Sequence, residues 1–149
     1  AFNVIPQCDV FLDNDFTKEE MKLTWETHKI LDPNIFVQAT CVRVPVFNGH
    51  SEAVFCKISK NTPRDQVIKL LKNSEGIQVL DNPEKLEYPT PVEHANDTEN
   101  VFVGRIRAQE HAEQNWLSLW IVADNVYGKG AALNAVQIAE RLLATNKFQ

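Results

Sequence analysis

Apolar side chains recur along this chain with two periods, a helical one and an alternating one, and the switches between them mark out its elements. Thr17 stands three residues before Glu20, so each side chain can bond the other's backbone N–H. This capping box opens a helix that the apolar period carries to about Leu31, where Asp32-Pro33 stops it. Residues 36–46 and 51–58 are rich in β-branched and aromatic side chains and read as strands. The Asn48-Gly49 pair between them is turn chemistry, so the two are expected to pair as an antiparallel hairpin with His50 at its tip. Thr62-Pro63-Arg64-Asp65 begins a second helix, with Val67, Ile68, Leu70 and Leu71 as its apolar face to about Asn73. Gly76 leads into a short strand, 77–80. Residues 81–100 carry Pro83, Pro89 and Pro91 without helical period, which predicts a long surface or interface loop. Strands are expected over 101–108 and 116–123, separated by a polar loop containing His111, and a last helix over about 129–145. In that helix Ala132, Val136, Ala139 and Leu143 form a stripe that permits close approach of another element. The order predicts an α+β fold: a mixed, largely antiparallel sheet with helices packed on one face.

Composition narrows the classes. The 149 residues are expected to form a single domain, 1–149, burying about 70% of the unfolded surface. Hydrophobic residues make up 44% and no apolar run approaches the roughly 20 residues that span a bilayer, so no membrane partner is expected. A net charge of −5, with no basic block, argues against nucleic acid. Cys8, Cys41 and Cys56 cannot all pair and match no zinc spacing, which points to reduced thiols and a cytoplasmic location. His28, His94 and His111 lack metal-ligand spacing, so no metal is assigned. The opening Ala1-Phe2-Asn3-Val4-Ile5-Pro6 has neither a basic segment nor a long apolar one, and suits a chain cut from a larger protein. Glycines at 49, 76, 104, 128 and 130 build no dinucleotide-binding turn, since Gly128-Lys129-Gly130 lacks the third glycine.

The candidate chemistry lies mostly in two places. Arg43, near the end of the strand expected over 36–46, and His50, in the turn, bring a fixed cation and a titratable imidazole close together in sequence, a pairing suited to holding an anion beside a proton transfer. On residue type alone they read rather as a structural ion-pair partner and a partly exposed turn residue. Glu19 and Lys22 share one face of the first helix, as a solvated pair or as a polar binding element. Cys41 would share a strand face with Arg43, which admits a Cys41/His50 dyad, although its apolar setting disfavours a thiolate. Asn125 ends a strand. Trp25, Trp116 and Trp120 fit core or interface.

Residues 39–52, with the run Arg43-Val44-Pro45-Val46-Phe47-Asn48-Gly49-His50-Ser51-Glu52, resemble the catalytic-domain signature of bacterial aspartate-semialdehyde dehydrogenases. Asn3-Val4-Ile5-Pro6-Gln7, Leu12-Asp13-Asn14, Thr17-Lys18-Glu19-Glu20-Met21-Lys22, Val103-Gly104-Arg105-Ile106-Arg107, Ala123-Asp124-Asn125 and residues 130–137 agree in the same order. The resemblance implies the C-terminal catalytic and dimerisation part of a longer enzyme, with a fold like the C-terminal domain of glyceraldehyde-3-phosphate dehydrogenases. The last helix would then pack toward a missing N-terminal NADP-binding domain. The implied activity is the NADPH-dependent reductive dephosphorylation of L-aspartyl 4-phosphate to L-aspartate 4-semialdehyde, which serves lysine, threonine and methionine biosynthesis. The same resemblance makes His50 the acid/base group and gives Arg43 the substrate carboxylate, Glu19 its amino group and Lys22 its phosphate. Asn125 would meet the cofactor's carboxamide. It places the nucleophilic cysteine in an upstream Asn-Cys segment, a context that Cys8, Cys41 and Cys56 lack, so this chain alone is expected to be inactive. A homodimer in contact through the sheet and residues 81–100 is also implied. Two other readings stand beside it: a non-catalytic substrate-binding or assembly module, and the related N-acetylglutamyl-phosphate reductase, which the segments 17–22 and 43–52 favour less.

Overall fold

A computed structural model describes residues 2–111, 113–128 and 131–145. The chain divides into two compact units, Ala1–Pro45 and Val46–Gln149.

The first unit is built on α1 (Lys18–Ile30). Its N-terminus is the expected capping box: the Glu20 N–H donates to Thr17 Oγ1 at 3.3 Å and the Thr17 N–H to Glu20 Oε2 at 2.8 Å. The other carboxylate oxygen of Glu20 accepts the Cys41 N–H at 2.8 Å, which ties the following segment to the helix. Thr17 and Glu20 are buried together. That segment is not the strand expected over 36–46. Its one ladder contact is an isolated antiparallel bridge between Ile5 and Arg43, closed by bonds of 3.0 and 2.8 Å. The reason is local: Cys41 spends its N–H on Glu20, and Pro45 has none to offer a ladder. The hairpin through Asn48-Gly49 is therefore absent, and His50 is the first residue of a strand rather than the tip of a turn.

The second unit is a four-stranded mixed sheet in the order β1-β4-β3-β2. It comprises β1 (His50–Ile58), β2 (Ile77–Val79), β3 (Val101–His111) and β4 (Gln114–Ala123). β1 and β3 flank β4 antiparallel, and β2 runs parallel to β3. On one face α2 (Arg64–Lys72) sets Val67, Ile68 and Leu71 against Val103, Ile106 and their neighbours. On the other face Ala95 packs with Phe102, Val122 and Trp120, just after the single turn α3 (Pro91–His94). Residues 81–100 thus carry short helical turns and part of the core, and Trp120 Nε1 donates to the Pro89 carbonyl at 2.9 Å. α4 (Ala132–Ala144) follows; Lys129 and Gly130, expected to open it, lie outside the described residues.

β3 contains a bulge between Gly104 and Arg107, with Arg105 at φ 52°. The extra residue returns Ile106 to the α2 face. Its unpaired amides are met by Asp81, which accepts from the Arg105 N–H at 2.9 Å and the Ile106 N–H at 3.1 Å while Arg64 Nη2 donates to it at 2.8 Å. Gly104 is required by close approach, since a β-carbon there would stand 2.3 Å from the Leu80 carbonyl oxygen.

Candidate functional site

Glu19 and Lys22 are brought together on the first turns of α1, with Lys22 Nζ donating to Glu19 Oε2 at 3.0 Å. Both side chains are half exposed, so the bond does little for stability. Its value is chemical. Glu19, helped by Glu26 and Asp9, raises the Lys22 pKa and holds the ammonium charged, ready to meet an anion. Arg43 is exposed and, among the described residues, pairs with no carboxylate. Its backbone is fixed on both sides by Ile5, and its neighbour Cys41 is fixed by Glu20, so the guanidinium projects from a pinned stretch of chain. The Glu20 carboxyl is held below its ordinary pKa by the backbone N–H groups of Thr17 and Cys41.

His50 and Asn125 belong to the second unit. His50 is exposed and opens β1 opposite Ala123, the last residue of β4. Asn125 lies two residues beyond Ala123, and its Oδ1 accepts the Gly49 N–H at 3.1 Å. Thus Glu19 lies against Lys22, and Asn125 against the residue preceding His50.

Two residues that the sequence reading passed over organise these positions. Glu20, read only as a cap, also anchors the segment leading to Arg43. Asp124 is buried, and its carboxylate accepts the N–H groups of Val126 at 2.8 Å, Tyr127 at 2.9 Å and Asp97 at 2.9 Å. Those bonds, Val126 and Tyr127 first, keep its pKa below the ordinary Asp range. A local signal existed, because Asp at a strand end commonly accepts from N–H groups two and three residues on.

Cys8 is buried, and burial pushes the Cys56 thiol pKa up, away from a nucleophile's range. Among the described residues no group of three or more His, Cys, Asp or Glu side chains could hold a metal ion. Three of the described glycines are packed tightly against the chain: β-carbons at Gly49, Gly104 and Gly128 would run into Ala95, Leu80 and Thr98.

Residues 1–127 match the family model described as semialdehyde dehydrogenase, dimerisation domain. The chain is 51% identical over 144 residues to an aspartate-semialdehyde dehydrogenase of Aquifex aeolicus, taking in 96% of this chain and 42% of that relative. A Legionella pneumophila protein of the same name is 52% identical over 143 residues, 95% of this chain and 41% of the relative. The crystal structure of aspartate semialdehyde dehydrogenase II from Vibrio cholerae complexed with ASA superposes with a TM-score of 0.88 at 49% identity, over 97% of this chain and 42% of that one. A Candida albicans aspartate semialdehyde dehydrogenase with NADP gives 0.72 at 27% identity, over 97% of this chain and 45% of that one. The chain therefore spans about 42% of the length of the first of these relatives. With the family model matched along most of its length, and with the same mixed sheet and helices as the solved structures, the chain belongs to the semialdehyde dehydrogenase dimerisation-domain family.

Proposed function

We propose that this chain is the substrate-binding and subunit-contact part of an aspartate-semialdehyde dehydrogenase, carrying out the reductive dephosphorylation of L-aspartyl 4-phosphate to L-aspartate 4-semialdehyde. The observation that carries the reading is the 51% identity to an enzyme of that name along 96% of the chain. The geometry suits it. A substrate with an α-amino group, an α-carboxylate and an acyl phosphate needs a carboxylate, a planar fork and a compact cation. Glu19, Arg43 and Lys22 supply them in that order, since a guanidinium meets a carboxylate through two parallel hydrogen bonds and an ammonium tracks a phosphoryl oxygen. His50 exchanges a proton with the adduct formed at the acyl carbon, a step that suits an imidazole because its ring nitrogens can both give and take a proton. NADP, when bound, supplies or accepts the hydride. Asn125 would meet its carboxamide edge, and the nucleophilic cysteine and most of the cofactor site would be supplied by sequence outside this chain.

The same reading makes the protein a cytoplasmic homodimer in the pathway to lysine, threonine and methionine. Among the described residues no helix is long and apolar enough to cross a membrane. The sheet face carrying Phe55, 70% exposed, and Trp116 is left open beyond the part that Ala95 covers, and Leu86 and Val92 are exposed nearby in sequence to that cover. Apolar area of this kind suits a second copy.

The test is phosphate-dependent reduction of NADP by aspartate semialdehyde, assayed with the full-length protein and with residues 1–149 alone. Activity is expected only from the former. N-acetylglutamate semialdehyde turned over in preference to the aspartyl substrate would replace this reading with the reductase one.

A further inference from the structure

The turn that precedes His50 is held from two sides by amide side chains from distant parts of the chain. Gly49 sits at φ +88°, where a β-carbon would stand 2.3 Å from the Ala95 Cβ and 3.3 Å from the Ala123 carbonyl oxygen, so the turn is wedged against its neighbours. Asn125 Oδ1 takes the Gly49 N–H at 3.1 Å, across 76 residues of sequence. One position earlier, Asn48 Nδ2 donates to Asn96 Oδ1 at 2.8 Å, across 48 residues. Asn96 is itself anchored, its Nδ2 donating to the Pro91 and Val92 carbonyls at 3.2 and 2.9 Å. Asn125 follows Asp124, whose buried carboxylate fixes the backbone on its far side. His50 comes directly after this clamped pair, as the first residue paired into β1.

Among the described residues no backbone–backbone bond closes residues 47–49, so the long-range side-chain bonds are what hold this bend. Their effect falls on the next residue. A general acid/base must stand within hydrogen-bond reach of the proton it moves, and a shift of about 1 Å can cost about 10²-fold in rate. We infer that Asn125 is a positioning residue for His50: its Oδ1 locks the Gly49 amide and so sets the direction in which the His50 imidazole leaves the sheet. The inference rests on the proposed acid/base role of His50. It gives the two ends of one amide different tasks, with Oδ1 holding the turn and Nδ2 left for the carboxamide contact proposed above.

The two tasks separate by substitution in the full-length protein. Asn125→Ala removes both; Asn125→Asp keeps an acceptor for the Gly49 N–H and loses the Nδ2 donor. The inference expects Asn125→Ala to deprotect the Gly49 amide in residue-resolved hydrogen exchange and to lower kcat by roughly 10- to 100-fold. Asn125→Asp should restore the protection and recover part of the kcat lost in Asn125→Ala, while KM for NADP stays raised. It is overturned if Gly49 protection is unchanged in Asn125→Ala, or if protection is lost with kcat intact. It is equally overturned if both variants lose kcat alike while only Asn125→Asp keeps the protection. Failure of the parent reading looks different: His50→Ala would keep full activity, which removes the role of His50 whatever the exchange data say about the turn.

Discussion

The two units hold their functional side chains by opposite means. The Ala1–Pro45 unit, among its described residues, buries little apolar surface besides Cys8, and its fixed points are polar: Thr17, Glu20 and the bridge between Ile5 and Arg43. The Val46–Gln149 unit has a conventional core on both faces of a sheet, and its polar anchors, Asp81 and Asp124, fasten irregular chain to that core. Hydrogen bonds between fixed groups set direction, whereas apolar burial is non-directional and sets stability. A segment proposed to present Arg43 to a planar carboxylate would profit from the former. A strand proposed to keep an acid/base His50 in one place would profit from both.

The largest effect that this contrast predicts is at His50. His50→Ala should lower kcat of the full-length enzyme by roughly 10² to 10⁴, because the proton moves only in the transition state. Arg43→Ala should act on KM instead, raising it roughly 10- to 150-fold for the loss of a charge-assisted bond of about 1.5 to 3 kcal/mol. Arg43→Lys should recover only part, having charge without the fork. Steady-state kinetics with varied semialdehyde decides both. A kcat effect at Arg43 and a KM effect at His50 would invert the comparison and remove the division into anchor and acid/base group.

What could be read in advance follows the range of the interactions involved. The capping box of α1 and the Pro63 start of α2 depend on residues a few positions apart and stand where the pattern put them, while β3 and β4 run past the ends expected at 108 and 116, so that His111 pairs with Gln114 at the end of β3 instead of lying in a loop. The hairpin through Asn48-Gly49 failed because β propensity describes a fit to some pleated surface without naming the partner. β1 found β4, from much later in the chain, while residues 36–46 gave Cys41 to Glu20 and Arg43 to Ile5. The site residues were legible only through family resemblance, since Glu19 with Lys22 looks on spacing alone like any surface pair. The second roles of Glu20 and Asn125 were not legible at all. Both depend on which backbone amide a side-chain oxygen meets after folding.

Smaller effects test the anchoring itself. Thr17→Ala removes the oxygen that accepts the Glu20 N–H and should cost about 0.5 to 2 kcal/mol, with Thr17→Ser close to wild type. In urea unfolding followed by hydrogen exchange, the loss should appear in α1 and leave β3 and β4 unaltered. Equal losses in both would show that the units share one unfolding transition.

Acid should separate the units most finely. A carboxyl whose folded pKa is depressed contributes stability that is complete above its unfolded pKa and is lost as pH falls through the folded value. Glu20 and Asp124 are both depressed, so the window opens below about 4.3 for the glutamate and about 3.9 for the aspartate. Protonating Glu20 weakens the bonds to the Thr17 and Cys41 amides, which are main fixed points of its unit. Protonating Asp124 loosens the 124–128 turn and the tie to Asp97, while the apolar contacts of Phe102, Val122 and Ile106 do not titrate. Hydrogen exchange measured downward from pH 6, and corrected for the intrinsic rate, should therefore lose protection at the Thr17 and Cys41 amides while β4, and β3 outside the bulge that Asp81 holds, remain protected. Glu20→Gln keeps an acceptor but removes the titration, so it should flatten that profile at a modest cost in protection at neutral pH. Loss of protection in the strands at the same pH as at Cys41 would mean that the sheet, too, depends on a carboxylate, and the contrast between directional and apolar anchoring would fall.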